Sequence, residues 1–348
     1  MPYPQVRMRL SALTSSRSGR RGELALVKRI RARTEKNAAG SLRLGIGDDC
    51  ALLALRAGEE LAVTTDLSIA GRHFRLDWHP PESVGHRTLA RGLSDLAAMG
   101  ARPVAAFLSL GIPRALSGQW LDRFLDGFFA LASAFKTPLA GGDLSESPIA
   151  VADIVLIGAV PRSKALLRSG ARPGDHIYVT GQLGGAATGL ARLAQIARSS
   201  RQTRPPTPLH IPASLKDYLA PHLYPQPRIA QGRVLSRHML ATAAIDLSDG
   251  LSTDLAHLCD ESRAAAEIDA STLPIHPGAT LTQALNGGED YQLLFTAAAS
   301  ARVPRTLAGI PVTRIGHMLR PRKNQPQATL LAGGKSQPLA PRGWQHFS

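Results

Sequence analysis

The chain has 348 residues, of which 44% are hydrophobic, so it can build two domains with buried cores and is not typical of a disordered protein. No apolar run approaches the roughly 18 residues that a membrane-spanning helix needs. Two cysteines, Cys50 and Cys259, are too few for a disulfide framework and lack the paired spacing of a zinc site. These features predict a globular protein of the reducing cytoplasm.

The net charge of +15 leaves two classes of partner to consider. A basic surplus can bind nucleic acid, or it can attract small anionic substrates. Aromatic residues make up 5% of the chain and do not alternate with basic residues, so no stacking surface for single strands is visible. We therefore expect no nucleic acid partner. Residues 1–21 carry five arginines and no acid, and we predict that they form a disordered basic extension outside the fold.

The pattern of residues 22–160 predicts an N-terminal domain of mixed α/β structure. Helical spacing of apolar residues follows Gly22, and strand-like runs then alternate with longer segments of helical periodicity. We predict strands at 42–46, 61–65, 104–110 and 149–160, and helices at 83–99 and 116–134.

A second α/β domain is predicted for residues 161–348. Residues 161–175 are rich in glycine, proline and arginine, and we place the domain boundary at their start. A proline-rich segment near 199–212 is predicted to be an exposed loop. We predict strands at 177–180, 243–247, 266–268, 291–296 and 312–317, and helices at 184–197 and 251–260.

Acidic residues recur beside small residues at the ends of the apolar runs. Each one alone is explained by a turn or a helix cap. Together they favour magnesium, because Mg²⁺ binds carboxylates, waters and phosphates rather than cysteine or histidine, and residues at strand ends face the crevice where α/β proteins bind ligands. The acids concerned are Asp48, Asp49, Asp66, Asp143, Asp246, Asp249, Glu289 and Asp290, with Asp95 inside a predicted helix.

Glycines accompany these acids. Gly141 and Gly142 precede Asp143, and a backbone without Cβ can bring its N–H groups close to a phosphate. The glycine-rich segment at 333–336 lacks the first glycine of a P-loop and is predicted to be a surface turn. His73, taken alone, is explained as a structural histidine.

Taken in order, the motifs resemble the thiamine-monophosphate kinase family, within the superfamily of aminoimidazole-ribonucleotide synthase. The resemblance extends from residue 22 to residue 347. It rests on LGIGDDCA at 44–51, TTD at 64–66, HF at 73–74, LSDLAAMGA at 93–101, GGD at 141–143, RSGARPGD at 168–175, IDLSDGL at 245–251, GGEDY at 287–291 and GWQHF at 343–347.

The resemblance implies a two-domain α/β fold, a homodimer joined through strands of the N-terminal domain, and a cleft between the domains that binds ATP and several Mg²⁺ ions. It implies that Gly142, Arg168 and Ser248 contact ATP. It implies that His73, Glu289 and Trp344 contact thiamine monophosphate. The implied metal ligands are Asp49, Thr64, Thr65, Asp66, Asp95, Asp143, Asp246 and Asp249.

The implied reaction is direct in-line transfer of the terminal phosphoryl group of ATP to thiamine monophosphate, which gives thiamine diphosphate and ADP. A phosphate monoester is largely dianionic at neutral pH, so the reaction needs no catalytic acid or base. The alternatives are aminoimidazole-ribonucleotide synthase, selenophosphate synthetase, a hydrogenase-maturation dehydratase, and a basic nucleic-acid-binding protein without catalysis. Selenophosphate synthetase is disfavoured because Cys50 directly follows the acidic pair instead of lying in a glycine-rich N-terminal segment.

Overall fold

The computed structural model describes residues 23–34, 41–199, 209 and 211–345. The predictions for residues 1–21 and for most of the loop near 199–212 therefore lie outside the described residues. The elements of the first half are α1 (Glu23–Thr34), β1 (Leu42–Leu44), β2 (Leu52–Leu53), β3 (Glu59–Ile69), α2 (Pro81–Ala98), β4 (Arg102–Ile112), α3 (Gln119–Ala134), β5 (Leu139–Glu146) and β6 (Val151–Pro161).

Strands β3, β6, β4 and β5 form a four-stranded sheet in that order. β6 is antiparallel to both of its neighbours, whereas β4 and β5 are parallel. Side chains alternate between the two faces of the sheet, and those on one face pack against α2 and α3. On the opposite face, β3 exposes Leu61, Val63 and Leu67.

The second half is built around a larger sheet. Its strand order is β14-β13-β9-β12-β7-β10-β8, with β11 paired to β12. Its elements are β7 (His176–Thr180), α4 (Gly185–Ser199), α5 (Lys216–Leu223), α6 (Ile229–Arg237), β8 (Ala243–Asp246), α7 (Leu251–Ser262), β9 (Ala265–Asp269), α8 (Leu281–Asn286), β10 (Leu293–Ala297), β11 (Thr306–Leu307), β12 (Ile310–Leu319), β13 (Ala328–Ala332) and β14 (Lys335–Pro338).

Helix α2 joins the two halves. Pro81 occupies its first turn, where the missing N–H costs no helical hydrogen bond, and most of the residues that follow are buried. Gly85 allows α3 to pack closely, because a Cβ at this position would lie 1.9 Å from the carbonyl oxygen of Phe124. The core that contains Leu89 of α2 also contains Phe295 of β10. The two sheets are thus connected through one helix whose polar residues can face both.

The observed elements confirm the predicted mixed α/β class and contain each predicted strand and helix, with boundaries shifted by a few residues. Strands β2, β5, β11, β13 and β14 and helices α5, α6 and α8 were not predicted. The predicted surface turn at 333–336 is confirmed: Gly333 and Gly334 have φ of 56° and 75° and connect β13 to β14. Within the described residues, no helix has the length and apolar character needed to cross a membrane.

Candidate functional site

A cleft with a volume of about 480 Å³ lies between the two halves. One side is formed by β3, the segment that follows it and α2. The other side is formed by the loop between β8 and α7, the segment before β10, and the C-terminal region. Of the residues predicted from the sequence, it is lined by Asp66, His73, Asp95, Asp246, Ser248, Asp249, Glu289 and Trp344.

Three aspartates in this cleft carry closely spaced charges. Burial and the neighbouring Asp95 raise the pKa of Asp66 to about 6 and the pKa of Asp246 to about 7. Asp95, whose pKa is also raised by burial, accepts a hydrogen bond from the Thr64 hydroxyl, and Asp246 accepts one from the Ser94 hydroxyl at 2.6 Å. Oδ2 of Asp66 is buried and has no hydrogen-bond partner among the described residues. A bound cation would balance this charge and provide the missing partner.

The loop between β8 and α7 is shaped by Asp254, which the sequence analysis did not identify. Oδ2 of Asp254 accepts hydrogen bonds from the backbone N–H groups of Ser248, Asp249 and Gly250 at 3.1, 3.1 and 3.0 Å. Burial, together with the charges of Asp246 and Asp249, raises the pKa of Asp254 to about 8. The only signal in the sequence was an aspartate in the first turn of a helix, where such residues commonly bind free N–H groups.

The two adjacent acids of the GGEDY segment at 287–291 point in different directions. Asp290 accepts hydrogen bonds from the backbone N–H groups of Gly184 at 2.5 Å and Ala186 at 2.9 Å, and so stabilises the start of α4. Glu289 has a left-handed backbone conformation, with φ of 67°, and its side chain lines the cleft. Adjacent acids thus have different roles, which their spacing in the sequence does not reveal.

A network of charged and imidazole groups fixes Glu289. Arg87 of α2 donates to both carboxylate oxygens of Glu289, at 2.8 and 2.6 Å, and to the backbone carbonyl of His73 at 3.1 Å. Nε2 of His222 lies 3.1 Å from Nη1 of Arg87 and 3.0 Å from Nε2 of His79. Burial lowers the pKa of His79 to about 3 and the pKa of His222 well below its usual value. Both histidines are therefore neutral at pH 7, and Arg87 is the partner that neutralises Glu289.

Other predicted residues line a separate cavity. Asp49, Gly142 and Asp143 lie at the edge of the N-terminal sheet, between β5, α1 and the segment after β1. The strand register places Gly142 and Asp66 in one row across the four strands. Three strand spacings of about 4.8 Å put the two positions about 14 Å apart. The cleft and this cavity, which we call the β5 cavity, therefore divide the predicted ligands into two groups.

One expectation about the position of the ligands is wrong. Asp66 and Asp143 were expected where strands end, but β3 and β5 continue for three residues beyond them because their pairing continues in register. Thr65 was grouped with its neighbours as a ligand. Because side chains alternate along a strand, Thr65 lies on the face of β3 opposite to Thr64 and Asp66, and its role as a ligand stays a prediction.

Comparison with known proteins identifies the family. Residues 47–160 match the model of the N-terminal domain of AIR synthase related proteins, and residues 172–327 match the model of the C-terminal domain. The thiamine-monophosphate kinase of Escherichia coli strain K12 is 38% identical over 340 residues, which cover 94% of this chain and 98% of that relative. The chain belongs to the thiamine-monophosphate kinase family. The family resemblance predicted from the motifs is confirmed.

Two solved structures of this family have the same fold. The crystal structure of thiamine-monophosphate kinase from Stenotrophomonas maltophilia K279a is 38% identical, with a TM-score of 0.74 over 90% of this chain and 98% of that chain. AaThiL, solved in complex with AMPPCP and TMP, is 28% identical, with a TM-score of 0.71 over 96% of this chain and 99% of that chain. The two-domain architecture predicted from the sequence is therefore confirmed.

The acids of the cleft fit the magnesium chemistry expected for this family. In the part of the chain that the structure describes, no three or more His, Cys, Asp or Glu side chains are grouped so that they could hold a metal ion by themselves. Mg²⁺ commonly takes one or two protein carboxylates and completes its coordination with water and substrate phosphates. Asp66, Asp95 and Asp246 suit an ion that binds together with a phosphate. The exposed Arg168 offsets part of the effect of burial on the pKa of Asp95 and Asp246.

Proposed function

We propose that this protein transfers the terminal phosphoryl group of ATP to thiamine monophosphate and forms thiamine diphosphate and ADP. The observation that carries the proposal is the cleft, where buried and mutually repelling aspartates lie beside a glutamate that an arginine fixes in place. The family relationship supports it, and so does the complex of the relative AaThiL with AMPPCP and TMP.

The chemistry follows from the charges. An oxygen of the acceptor phosphate forms a bond to the γ-phosphorus of ATP while the bond to the β–γ bridging oxygen breaks, and ADP leaves with that electron pair. The acceptor is already largely dianionic, so no residue has to remove a proton. Bound Mg²⁺ would neutralise the phosphates and the developing charge. Asp66, Asp95, Asp246 and Asp249 would hold these ions, and the fixed loop after β8 keeps Asp249 in place.

We assign the thiamine group to the end of the cleft that contains His73, Glu289 and Trp344. Trp344 has 48% of its surface exposed, so its ring can stack on a flat heterocycle that carries a positive charge. Glu289, which Arg87 holds in place, supplies carboxylate oxygens at the same end of the cleft. His73 accepts a hydrogen bond from the backbone N–H of Ile69 at 3.0 Å, which orients its ring.

We assign ATP contacts to Gly142, Ser248 and Arg168, and further metal contacts to Asp49 and Asp143. Gly142 has φ of 149°, and a Cβ there would lie 1.9 Å from the carbonyl oxygen of Leu108. A side chain is therefore excluded, and the backbone of β5 stays accessible from the β5 cavity.

We also propose that two copies associate through the exposed face of the N-terminal sheet. Leu61 and Val63 expose 55% and 59% of their surface, and Leu67 exposes 45%. A row of exposed apolar side chains on one face of a sheet is typical of an interface. Light scattering should give the mass of two chains.

We also propose a cytoplasmic location. Both cysteines are free, as is usual for proteins in the reducing cytoplasm.

Incubation with ATP, Mg²⁺ and thiamine monophosphate tests the proposed reaction. Thiamine diphosphate should form in amounts equal to ADP, and thiamine should give no product because it lacks the acceptor phosphate. ADP formation that does not depend on thiamine monophosphate would contradict the proposal. Salt-sensitive binding to duplex DNA without any turnover would instead favour the nucleic-acid-binding alternative.

A further inference from the structure

Helix α2 presents a stripe of charged residues to the cleft. Arg87, Arg91 and Asp95 are four residues apart and therefore lie on the same face of the helix, about 6 Å from one to the next along its axis. Arg87 binds Glu289 at the end assigned to thiamine, and Asp95 belongs to the aspartate group. Arg91 lies between them, at the point where the thiamine end meets the metal end.

The two arginines differ in how their donors are used. The guanidinium of Arg87 is occupied by Glu289, His73 and His222, and its side chain is 7% exposed. The side chain of Arg91 is 18% exposed and makes one ion pair, in which its Nε lies 3.6 Å from Oδ1 of Asp66.

A distance of 3.6 Å is too long for a hydrogen bond. Among the described residues, Asp66 is the one carboxylate paired with the guanidinium of Arg91, and Nε makes this contact. Arg91 nevertheless lines the cleft, so its donors can reach a ligand there.

The guanidinium of Arg91 is therefore mostly buried, lies beside the aspartates on a rigid helix, and has N–H donors that are available to a ligand. Guanidinium groups bind phosphate oxygens through two parallel hydrogen bonds, and these bonds are stronger in a partly dry cleft than in water. The position also excludes the heterocycle as the partner, because a cation repels the positive thiazolium. The chemistry that fits Arg91 is a phosphate dianion.

We propose that Arg91 binds the phosphate group of the thiamine monophosphate acceptor, a role that rests on the phosphoryl transfer proposed above. Arg91 holds one or two oxygens of this phosphate and leaves another directed toward the metal-bound ATP. Its ion pair with Asp66 keeps the guanidinium in the cleft before substrate binds. Arg91 is thus a determinant of specificity for the monophosphate over unphosphorylated thiamine.

The test uses the full-length protein and the variants Arg91→Met and Arg91→Lys. Removal of two charge-assisted hydrogen bonds should raise the KM for thiamine monophosphate by about 10- to 100-fold. The KM for ATP should change by no more than about 3-fold, because the proposed ATP contacts are elsewhere. Arg91→Lys keeps the charge but loses the two-pronged geometry, so we expect an intermediate value.

Calorimetric titration with thiamine monophosphate and with thiamine separates binding from turnover. The wild-type protein should prefer the monophosphate, and Arg91→Met should lose most of this preference while its affinity for thiamine stays the same. Arg123→Met is the matched control. It breaks an ion pair of α3 with Glu82, at 2.6 Å, outside the cleft, and should leave both affinities unchanged.

The outcomes distinguish the two proposals. If the wild-type protein forms thiamine diphosphate and Arg91→Met retains the preference for the monophosphate, Arg91 does not bind the phosphate and the proposed function stands. If Arg91→Met raises both KM values equally, Arg91 is only a counter-ion of Asp66. If the wild-type protein does not distinguish thiamine monophosphate from thiamine, both proposals are overturned. Arg91→Lys decides the question if Arg91→Met does not fold.

Discussion

The cleft and the β5 cavity use the same residue types in opposite surroundings. In the cleft, Asp66, Asp95 and Asp246 are mostly buried, and they repel one another strongly enough to raise the pKa of Asp66 and Asp246 beyond the effect of burial. In the β5 cavity, Asp49 and Asp143 are exposed to water. An aspartate that water solvates does not need a cation, whereas a group of buried aspartates does.

This difference indicates how the ligands divide. The cleft carries negative charge that a divalent ion stabilises, and two of its arginines, Arg87 and Arg91, each lie beside one of its acids. The β5 cavity offers glycine backbone instead, next to Gly142, where no side chain fits. We therefore expect substitutions in the cleft to affect the binding of the acceptor and its metal ions, and substitutions in the β5 cavity to affect the binding of ATP and the ions that accompany it.

The largest expected effect is loss of activity in Asp66→Asn and Asp143→Asn. Each substitution deletes a charge that would bind a metal ion, and we expect kcat/KM to fall by about 100-fold or more. The melting temperature of neither variant should fall, because Asp143 is exposed and Asp66→Asn removes a charge that burial and the neighbouring Asp95 disfavour. Asp126→Asn, on the exposed part of α3, is the control. Full turnover of Asp66→Asn at saturating Mg²⁺ would contradict its assignment as a ligand.

The next largest effect is expected for Arg87→Met. Removing the arginine leaves Glu289 charged, only partly exposed and without its partner. The free energy of unfolding should therefore fall by about 2–3 kcal/mol, which is less than the loss expected for a fully buried ion pair. Urea denaturation measures this change. The double variant Arg87→Met with Glu289→Gln should recover part of the loss, because it removes the uncompensated charge. A single variant as stable as the wild type would show that the network does not hold Glu289.

The smallest effect concerns the pH dependence of stability in metal-free protein. The folded-state pKa of Asp246 is about 7, above the ordinary value of 3.8, so its protonated form is the stabilising one. This contribution is complete below pH 3.8 and is lost as the pH rises through 7. Asp246→Asn, which never ionises, should therefore become more stable than the wild type by about 1 kcal/mol or more between pH 5 and pH 8. Thermal melts in EDTA measure this difference.

Saturating Mg²⁺ with an ATP analogue should reverse this pH trend, because the ions bind the charged carboxylate of the wild type. The comparison of two chains that differ at one position also removes the opposing contribution of His79 and His222, which is the same in both. If the difference in stability between Asp246→Asn and the wild type did not change with pH, the surroundings of Asp246 would not raise its pKa.

The fold class and most helices and strands could be predicted from the sequence, because tertiary packing does not override a long periodic pattern of apolar residues. It failed at β5, where Gly141 and Gly142 lie inside a strand and resemble loop residues. It also placed all the acids in one site, because the strand register that separates Asp66 from Gly142 is a property of non-local pairing.

The residues that hold the site in place, Asp254 and Arg87, were not predicted from the sequence for a different reason. Asp254 acts on three backbone N–H groups, and Arg87 acts on a residue 202 positions away. The partners of Asp254 lie four to six residues before it, but an aspartate in the first turn of a helix is too common to single this one out. The partner of Arg87 is brought to it only by the packing of α2 against the second half of the chain. Long-range electrostatic pairing of this kind requires the structure.

The central claim is that the aspartates of the cleft bind divalent ions together with a nucleotide. Electron paramagnetic resonance of Mn²⁺ titrated into metal-free protein with AMPPCP measures this directly. The wild type and Asp126→Asn should bind Mn²⁺ with equal affinity, and Asp66→Asn should bind it at least about 10-fold more weakly. Equal affinity of Asp66→Asn and the wild type would contradict the claim.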